Sequence, residues 1–210
     1  MPDREPIAII GAGGHARVVI GTLQAAGLSA GAVFDDNPST WDAEILGVPV
    51  LGAVSRLTEE GYNRAVIAIG DNATRRRLSE QLRGIEWVKV IHPHTWIHPS
   101  VQIGEGTVIL AGVVIQPEAR VGNHAILNTG ATIDHECIIH DYAHVAPGVH
   151  LAGRVEVGEG AFIGIGSSVI QCCKVGAWAV IGAGAAVVRD IPDGVTAVGV
   201  PARVLQTGRG

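Results

Sequence analysis

The sequence predicts a two-part fold: a small α/β unit over residues 1–91, followed by a parallel β-solenoid of hexapeptide repeats over residues 92–210. Three observations carry this reading. An aliphatic residue recurs at every sixth position through most of the second part. The first part instead alternates short apolar runs with helical stretches. The chain of 210 residues also holds 29 glycines, roughly twice the usual share of about 7%, which points to many tight turns. Hydrophobic residues make up 47% of the chain but aromatic residues only 4%, so the core is aliphatic, thin and regular.

In the first part, Ile7 to Ile10 reads as a strand running into the turn Gly11-Ala-Gly-Gly-His-Ala16, with a helix from Arg17 to Ala26 stopped at Gly27. A second strand, Ala30 to Phe34, ends at Asp35-Asp36. A strand at Val48 to Leu51, a helix from Val54 to Glu60 and a strand at Ala65 to Ile69 follow. Gly70-Asp-Asn72 opens a helix carrying Arg75, Arg76 and Arg77, and a strand from Trp87 to Ile91 closes the unit. Strands alternating with helices build a parallel sheet. Gly11, Gly13 and Ala16 satisfy G-x-G-x-x-A, a turn that brings backbone close to phosphate at a helix N-terminus. About ninety residues hold only half of a Rossmann-like fold, which favours a nucleotide-sugar over NAD. The same glycines also suit a plain strand-to-helix turn. Asp35 and Asp36 suit either a base or ribose contact or a solvated turn, and the arginine run reads first as an exposed helix face, second as a diphosphate clamp.

In the second part, stepping by six from Ile97 meets Ile, Leu or Val at sixteen consecutive positions, ending at Val187. Four residues after each stands a small or short β-branched residue, from Val101 to Ala185, with Ile191 the exception. A helix needs a period near 3.6 and an ordinary strand a period of 2, so neither accounts for a period of six. A solenoid does: each hexad supplies a short strand and a turn, and neighbouring coils satisfy the backbone hydrogen bonds. The pattern resembles the left-handed parallel β-helix of the hexapeptide-repeat acyltransferases. That resemblance implies three hexads per triangular coil, so residues eighteen apart stack. Cys137 and Cys173 are then two coils apart, about 9 to 10 Å, too far for a disulfide.

The histidines cluster. His135 sits at the third position of a hexad, at an expected corner, between Asp134 and Glu136. A carboxylate neighbour fixes an imidazole tautomer and raises its basicity, which suits a general base. The chain further resembles the nucleotide-activated amino-sugar N-acetyltransferases of bacterial glycan biosynthesis, relatives of the sialic-acid O-acetyltransferases. The resemblance rests on Gly11-Ala-Gly-Gly-His15, Phe34-Asp-Asp36, Ile69-Gly-Asp-Asn72, Leu127-Asn-Thr129, Asp134-His-Glu136, His144 and Val198-Gly-Val-Pro-Ala202. It implies a homotrimer with acetyl-CoA in a groove between adjacent prisms and the nucleotide-sugar on the N-terminal unit.

By that resemblance His135 takes the proton of the sugar amine, Glu136 orients it and Asn128 positions the reacting groups. His144 contacts the thioester region from across the interface, Gly153 offers a backbone N–H to the oxyanion, and Ile165 and Ala183 line the pantetheine groove. Gly11, Gly13, Gly14, His15, Asp35, Asp36, Gly70 and Asn72 hold the nucleotide-sugar. The amine attacks the thioester directly, so neither Cys137 nor Cys172 is needed as a nucleophile. The expected reaction is acetyl-CoA-dependent N-acetylation of a nucleotide-linked 4-amino-4,6-dideoxysugar, with O-acetylation of a sialic-acid-like sugar as the alternative. A zinc enzyme with ligands shared between prisms and a sugar-binding scaffold without chemistry are the other readings; no metal is expected, because the positions one coil from His135 are Pro117 and Gly153.

A net charge of −5 argues against nucleic acid as a partner. No stretch reaches the roughly 20 apolar residues of a membrane span. The start, with Asp3, Arg4 and Glu5 before a short apolar run, has no signal-peptide pattern. Three cysteines suit no disulfide scaffold, and a cytoplasmic location is expected.

Overall fold

The computed structural model describes residues 5–205; Asp3 and Arg4, with the outermost ends of the two expected units, lie outside them. The N-terminal unit runs β1 (Ile7–Ile10), α1 (Gly14–Ala25), β2 (Ala30–Phe34), β3 (Glu44–Ile45), β4 (Val48–Gly52), β5 (Arg64–Ile67), α2 (Asn72–Gln81) and β6 (Glu86–Trp87). The sheet order is β3-β4-β2-β1-β5-β6, parallel throughout except for the antiparallel β3-β4 pair. Helix α1 forms because Ala16, Val19, Ile20 and Leu23 fall on one side and are all buried, the spacing of a core-facing stripe. Helix α2 is polar, and only Asn72, Arg75 and Leu78 are buried, three residues apart. Its N-cap is Asp71, whose carboxylate accepts from the Thr74 N–H at 2.8 Å.

From Val90 onward the chain is a left-handed parallel β-helix. Two-residue strands form three flat faces. Face I carries Val90–Ile91, Val108–Ile109, Ile126–Leu127, His144–Val145, Phe162–Ile163 and Val180–Ile181, and is continued by Thr196–Val198. Face II runs from Trp96–Ile97 through Thr132–Ile133 to Ala186–Val187, and face III from Gln102–Ile103 through Ile138–Ile139 to Lys174–Val175. From Val90 to Val187 the rungs pair residues eighteen apart, as in Val108↔Ile126 or Thr132↔His150, and the last coil shortens this to sixteen at Val180↔Thr196. The second residue of each strand points inward. With the small residues of the turns these form one continuous core from Ile109 to Ala202, including Leu127, Ala131, Ile133 and Cys137.

Three sequence expectations need correction. Trp87 to Ile91 is not one strand: β6 ends at Trp87 in the N-terminal sheet, while Val90–Ile91 is the first rung of face I. The aliphatic ladder therefore begins one step earlier than Ile97. Val54 to Glu60 is not a helix but a single 3-10 turn, Val54–Arg56, followed by turns that bury Leu57.

The two units share apolar surface. Val90, Val108 and Leu110, on the outside of face I, belong to the same buried cluster as Val19, Ile20 and Leu23 of α1. The N-terminal unit thus covers the lower part of face I, where Val108 and Ile126 are buried. Higher on that face Phe162 is half-buried and Val180 exposed.

Candidate functional site

The two histidines expected at the chemistry, His135 and His144, fall in two places on opposite sides of the prism. The first is the edge between faces II and III, where Pro117, His135, Gly153 and Gln171 stack coil upon coil. The stacking is fixed by Glu136 N–H donating to the Pro117 carbonyl at 3.0 Å, Arg154 N–H to His135 at 2.9 Å and Cys172 N–H to Gly153 at 3.0 Å. His135 is half-exposed here. Its Nδ1 lies 2.9 Å from Glu136 Oε2. A carboxylate only accepts, so Nδ1 carries the proton and Nε2 keeps a free lone pair. Asp134 does a different job: its Oδ1 accepts the backbone N–H of His135 at 2.7 Å.

The His135 ring lies over Gly153. A Cβ at Gly153 would stand 2.5 Å from His135 Nε2 and 2.6 Å from Cε1, so only glycine leaves the ring its place. Cys137, nearby, is fully buried, and burial pushes its thiol up to about 11, which disqualifies it as a nucleophile. Cys172 is exposed and Cys173 buried, and all three cysteines are free thiols.

The second place is the seam between face I and the N-terminal unit. His144 is buried there, with Nε2 3.2 Å from the Asn128 amide nitrogen and Nδ1 3.4 Å from the Gly70 carbonyl. The amide donates and the carbonyl accepts, which again places the proton on Nδ1. His15, on the first turn of α1, brings its ring to 6.3 Å from that of His144, and its buried Nε2 has no partner among the described residues. Phe162 stands edge-on to His144 at 5.1 Å. A cleft of about 340 Å³ opens beside them between Gly70, Asp71, Asn72 and Ala73 on one wall and Gly160, Phe162, Trp178 and Val180 on the other.

This seam is electrostatically unusual. Burial foremost, with the Arg75 guanidinium second, pushes His15 down to about 4. Burial, then Arg75, then His15, pushes His144 down to about 3. His124, sandwiched between Trp87 and Tyr142, is lowered to about 4 by burial and then Arg75, against a partial pull from Asp141. All three are neutral at physiological pH.

The remaining candidates are placed as follows. Gly11 is buried, and a Cβ there would stand 2.6 Å from Ile69 Cγ1, so its role is the close approach of two strand ends. Gly13 and Gly14 are exposed at the start of α1, which has no side-chain cap, so its first N–H groups are free to meet an anion. Asp35 is already occupied: Oδ2 accepts from Ala12 N–H at 2.6 Å and Oδ1 from Asn37 N–H at 2.8 Å. Asp36 Oδ1 accepts from Val54 N–H at 2.9 Å. Both carboxylates therefore shape the turn first and have only their remaining lone pairs for a ligand.

Asn72 donates across the seam to the carbonyls of Gly160 and Ala161 at 2.9 and 3.2 Å, so it docks α2 on the solenoid. Asn128 is committed too: besides His144, its Oδ1 accepts from Thr129 N–H at 2.8 Å. Ile165, 57% exposed, and Ala183 stack at the edge between faces I and II, not at the edge of His135. His140 pairs with Glu156 and His150 with Thr132, both on the surface.

Arg75 is the residue that sequence reasoning placed on an exposed helix face and that the structure buries, at 1% exposure. The signal available was its spacing of three from Asn72 and from Leu78. Among the described residues no cluster of three His, Cys, Asp or Glu side chains is arranged to hold a metal ion. No described helix is long and apolar enough to cross a membrane.

The fold has counterparts among known proteins. The PglD N-terminal domain family matches residues 6–82. The fold superimposes with a TM-score of 0.92 on a histidine-to-alanine mutant of GDP-perosamine N-acetyltransferase from Caulobacter crescentus, in complex with CoA and GDP-perosamine; identity is 44% over 96% of this chain and 97% of that one. The acetyltransferase domain of PglB from Neisseria gonorrhoeae, in complex with acetyl coenzyme A, gives a TM-score of 0.89 at 36% identity, covering 96% of this chain and 100% of that one. UDP-N-acetylbacillosamine N-acetyltransferase of Bacillus subtilis is 42% identical over 113 residues, which are 50% of this chain and 51% of that enzyme. The chain spans about half or less of the length of the curated relatives it matches.

Proposed function

The chain belongs to the hexapeptide-repeat N-acetyltransferases of nucleotide-activated amino sugars, and from that membership we propose that it transfers the acetyl group of acetyl-CoA to the amine of a nucleotide-linked 4-amino-4,6-dideoxysugar. The observation that carries the reading is the half-exposed His135 imidazole, held through Nδ1 by Glu136 with Nε2 over Gly153. When bound, acetyl-CoA supplies the acyl group as a thioester; the sugar amine becomes an amide and CoA leaves as the thiol. His135 Nε2 receives the proton that the amine loses, and Glu136 steadies the imidazolium so formed. The Gly153 backbone borders the same spot, where an N–H stabilises negative charge on the carbonyl oxygen.

On this reading the acceptor is held at the seam on face I. The open first turn of α1 at Gly13 and Gly14 suits a diphosphate, and neutral His15 and His144 beside Gly70 suit an uncharged sugar, which moves His144 from the thioester side expected from sequence to the acceptor side. In a triangular prism the edge between faces II and III is the corner opposite face I. An acceptor held at one chain's seam therefore reaches the His135 of a neighbouring copy, not its own, and Ile165 and Ala183 flank the donor from yet another edge. This placement supports a trimer with sites between protomers.

Incubating the protein with acetyl-CoA and UDP-, GDP- and dTDP-linked 4-amino-4,6-dideoxysugars, with release of free thiol as the readout, tests the proposal. Turnover dependent on a 4-amino acceptor is the expected result. Thiol release only with sugars that offer a hydroxyl would replace the amine by an alcohol acceptor, and no release with any acceptor would refute acetyl transfer. A second expected outcome concerns Gly153. The Gly153→Ala protein is expected to keep its fold, because the displaced group is the end of a half-exposed side chain. Its kcat is expected to fall about 10²-fold as the ring leaves Glu136, measured on the best acceptor alongside a melting curve.

A further inference from the structure

Arg75 is remote from His135 and meets the proposed acceptor site only through backbone carbonyls, yet it is among the most deeply buried side chains of the molecule. Its guanidinium reaches four carbonyls from two units. Nη1 donates to Ile69 and Gly70 at 3.0 Å each, Nε to His124 at 3.1 Å and Nη2 to Tyr142 at 2.7 Å. The first two carbonyls belong to the loop that opens α2; the other two belong to the edge of the solenoid between faces III and I. Gly70 is the hinge of the arrangement, because the same carbonyl that receives Arg75 faces His144 Nδ1. Few other side chains present a planar fork of donors able to bridge so many fixed acceptors.

We propose that Arg75 is a positioning residue of the acceptor site: its buried guanidinium ties the Ile69–Gly70 loop, and through Gly70 the His144 ring, to the edge of the prism. This rests on the reading that Gly70 and His144 border the bound sugar. A rigid loop and a ring with one fixed tautomer present a single hydrogen-bonding pattern to the acceptor. The charge has a second effect. Facing the seam are His15 from α1, Asp71 and Arg75 from α2, and His124, Asp141, Tyr142 and His144 from the solenoid. Arg75 is the one permanent cation in this group, and it stays protonated although burial lowers it to about 10. It adds to burial in keeping protons off His15 and His144.

Arg75→Lys and Arg75→Gln separate tether from charge. Lysine keeps the charge but cannot span four carbonyls, so the KM for the nucleotide-sugar is expected to rise about tenfold, the loss of one or two charged hydrogen bonds. The KM for acetyl-CoA and the titration of His15 and His144, followed by NMR of the ring Cε1–H signals, are expected to stay as in the native protein. Glutamine removes both, so the two rings are expected in addition to titrate about one pH unit higher. If both variants merely melt earlier, with native KM values and native ring titrations, Arg75 is a strut and the proposal is overturned. If the native protein transfers no acetyl group, the proposed function fails instead; calorimetric binding of the nucleotide-sugar and the NMR titrations still decide the role of Arg75.

Discussion

Turnover of the His135→Ala protein is expected to fall about 10²- to 10⁴-fold, the usual worth of a positioned general base, with a melting temperature close to native because the ring is half-exposed and pairs only with Glu136. Steady-state thiol release at saturating acetyl-CoA reads the effect, and retention of native turnover would remove His135 from the chemistry. The same variant tests where its acceptor comes from. A partner variant, Gly13→Glu, places a carboxylate at the open N-terminus of α1 and is expected to abolish acceptor binding while leaving His135 intact. Each variant alone is then inactive.

Co-assembled in equal amounts, the two are expected to recover about one quarter of native activity if each site draws His135 from one protomer and the α1 terminus from another, since both must be native at random in the same site. No recovery in mixed assemblies would mean that one chain supplies both. The structure argues for recovery because the core of the prism, from Ile109 to Val187, lies between the His135 edge and face I of the same chain.

The solenoid was legible because its period is a packing requirement. Every sixth residue must be a branched aliphatic to fill a three-sided core, as Ile115, Val121 and Leu127 do on successive faces. The edges were less legible. Trp87 to Ile91 shows an apolar pattern on both sides of Lys89, so nothing in the residue types marks the passage from one sheet to another. Val54 and Leu57 have helical spacing, but the segment is too short and too near Gly61 to propagate beyond one turn.

In the site, His135 and Glu136 could be read from sequence because neighbours along a turn interact directly. Asn72, Asn128 and Arg75 could not. Their partners are carbonyls and rings supplied by coils up to 89 residues away, and a polar residue that docks one unit on another is chemically identical to one that waits for substrate.

Mild acid is expected to destabilise the protein between about pH 6.5 and 5, before its carboxylates protonate. The sign follows from the imidazoles. His15, His124 and His144 have folded-state values of about 4, about 4 and about 3, below the 6.5 of an exposed histidine. In that window the unfolded chain takes up protons that the folded chain refuses, so stability is fully present above pH 6.5 and is lost as pH falls toward the folded values. Each imidazole contributes a slope of about 1.4 kcal/mol per pH unit while it differs between the two states. The three do not act independently, because protonating one beside Arg75 raises the cost of protonating the next.

Asp71 and Glu156, whose carboxyls are held low by hydrogen bonds, add their own loss only below the ordinary carboxylate range. Urea midpoints between pH 7.5 and 5 therefore measure the histidines almost alone. Replacing His144 by Gln removes one titrating group and is expected to flatten the slope by about one proton's worth. A midpoint that stayed constant down to pH 5 would show that water or an open seam already solvates these rings, and that the two units are less tightly joined at Arg75 than its four hydrogen bonds imply.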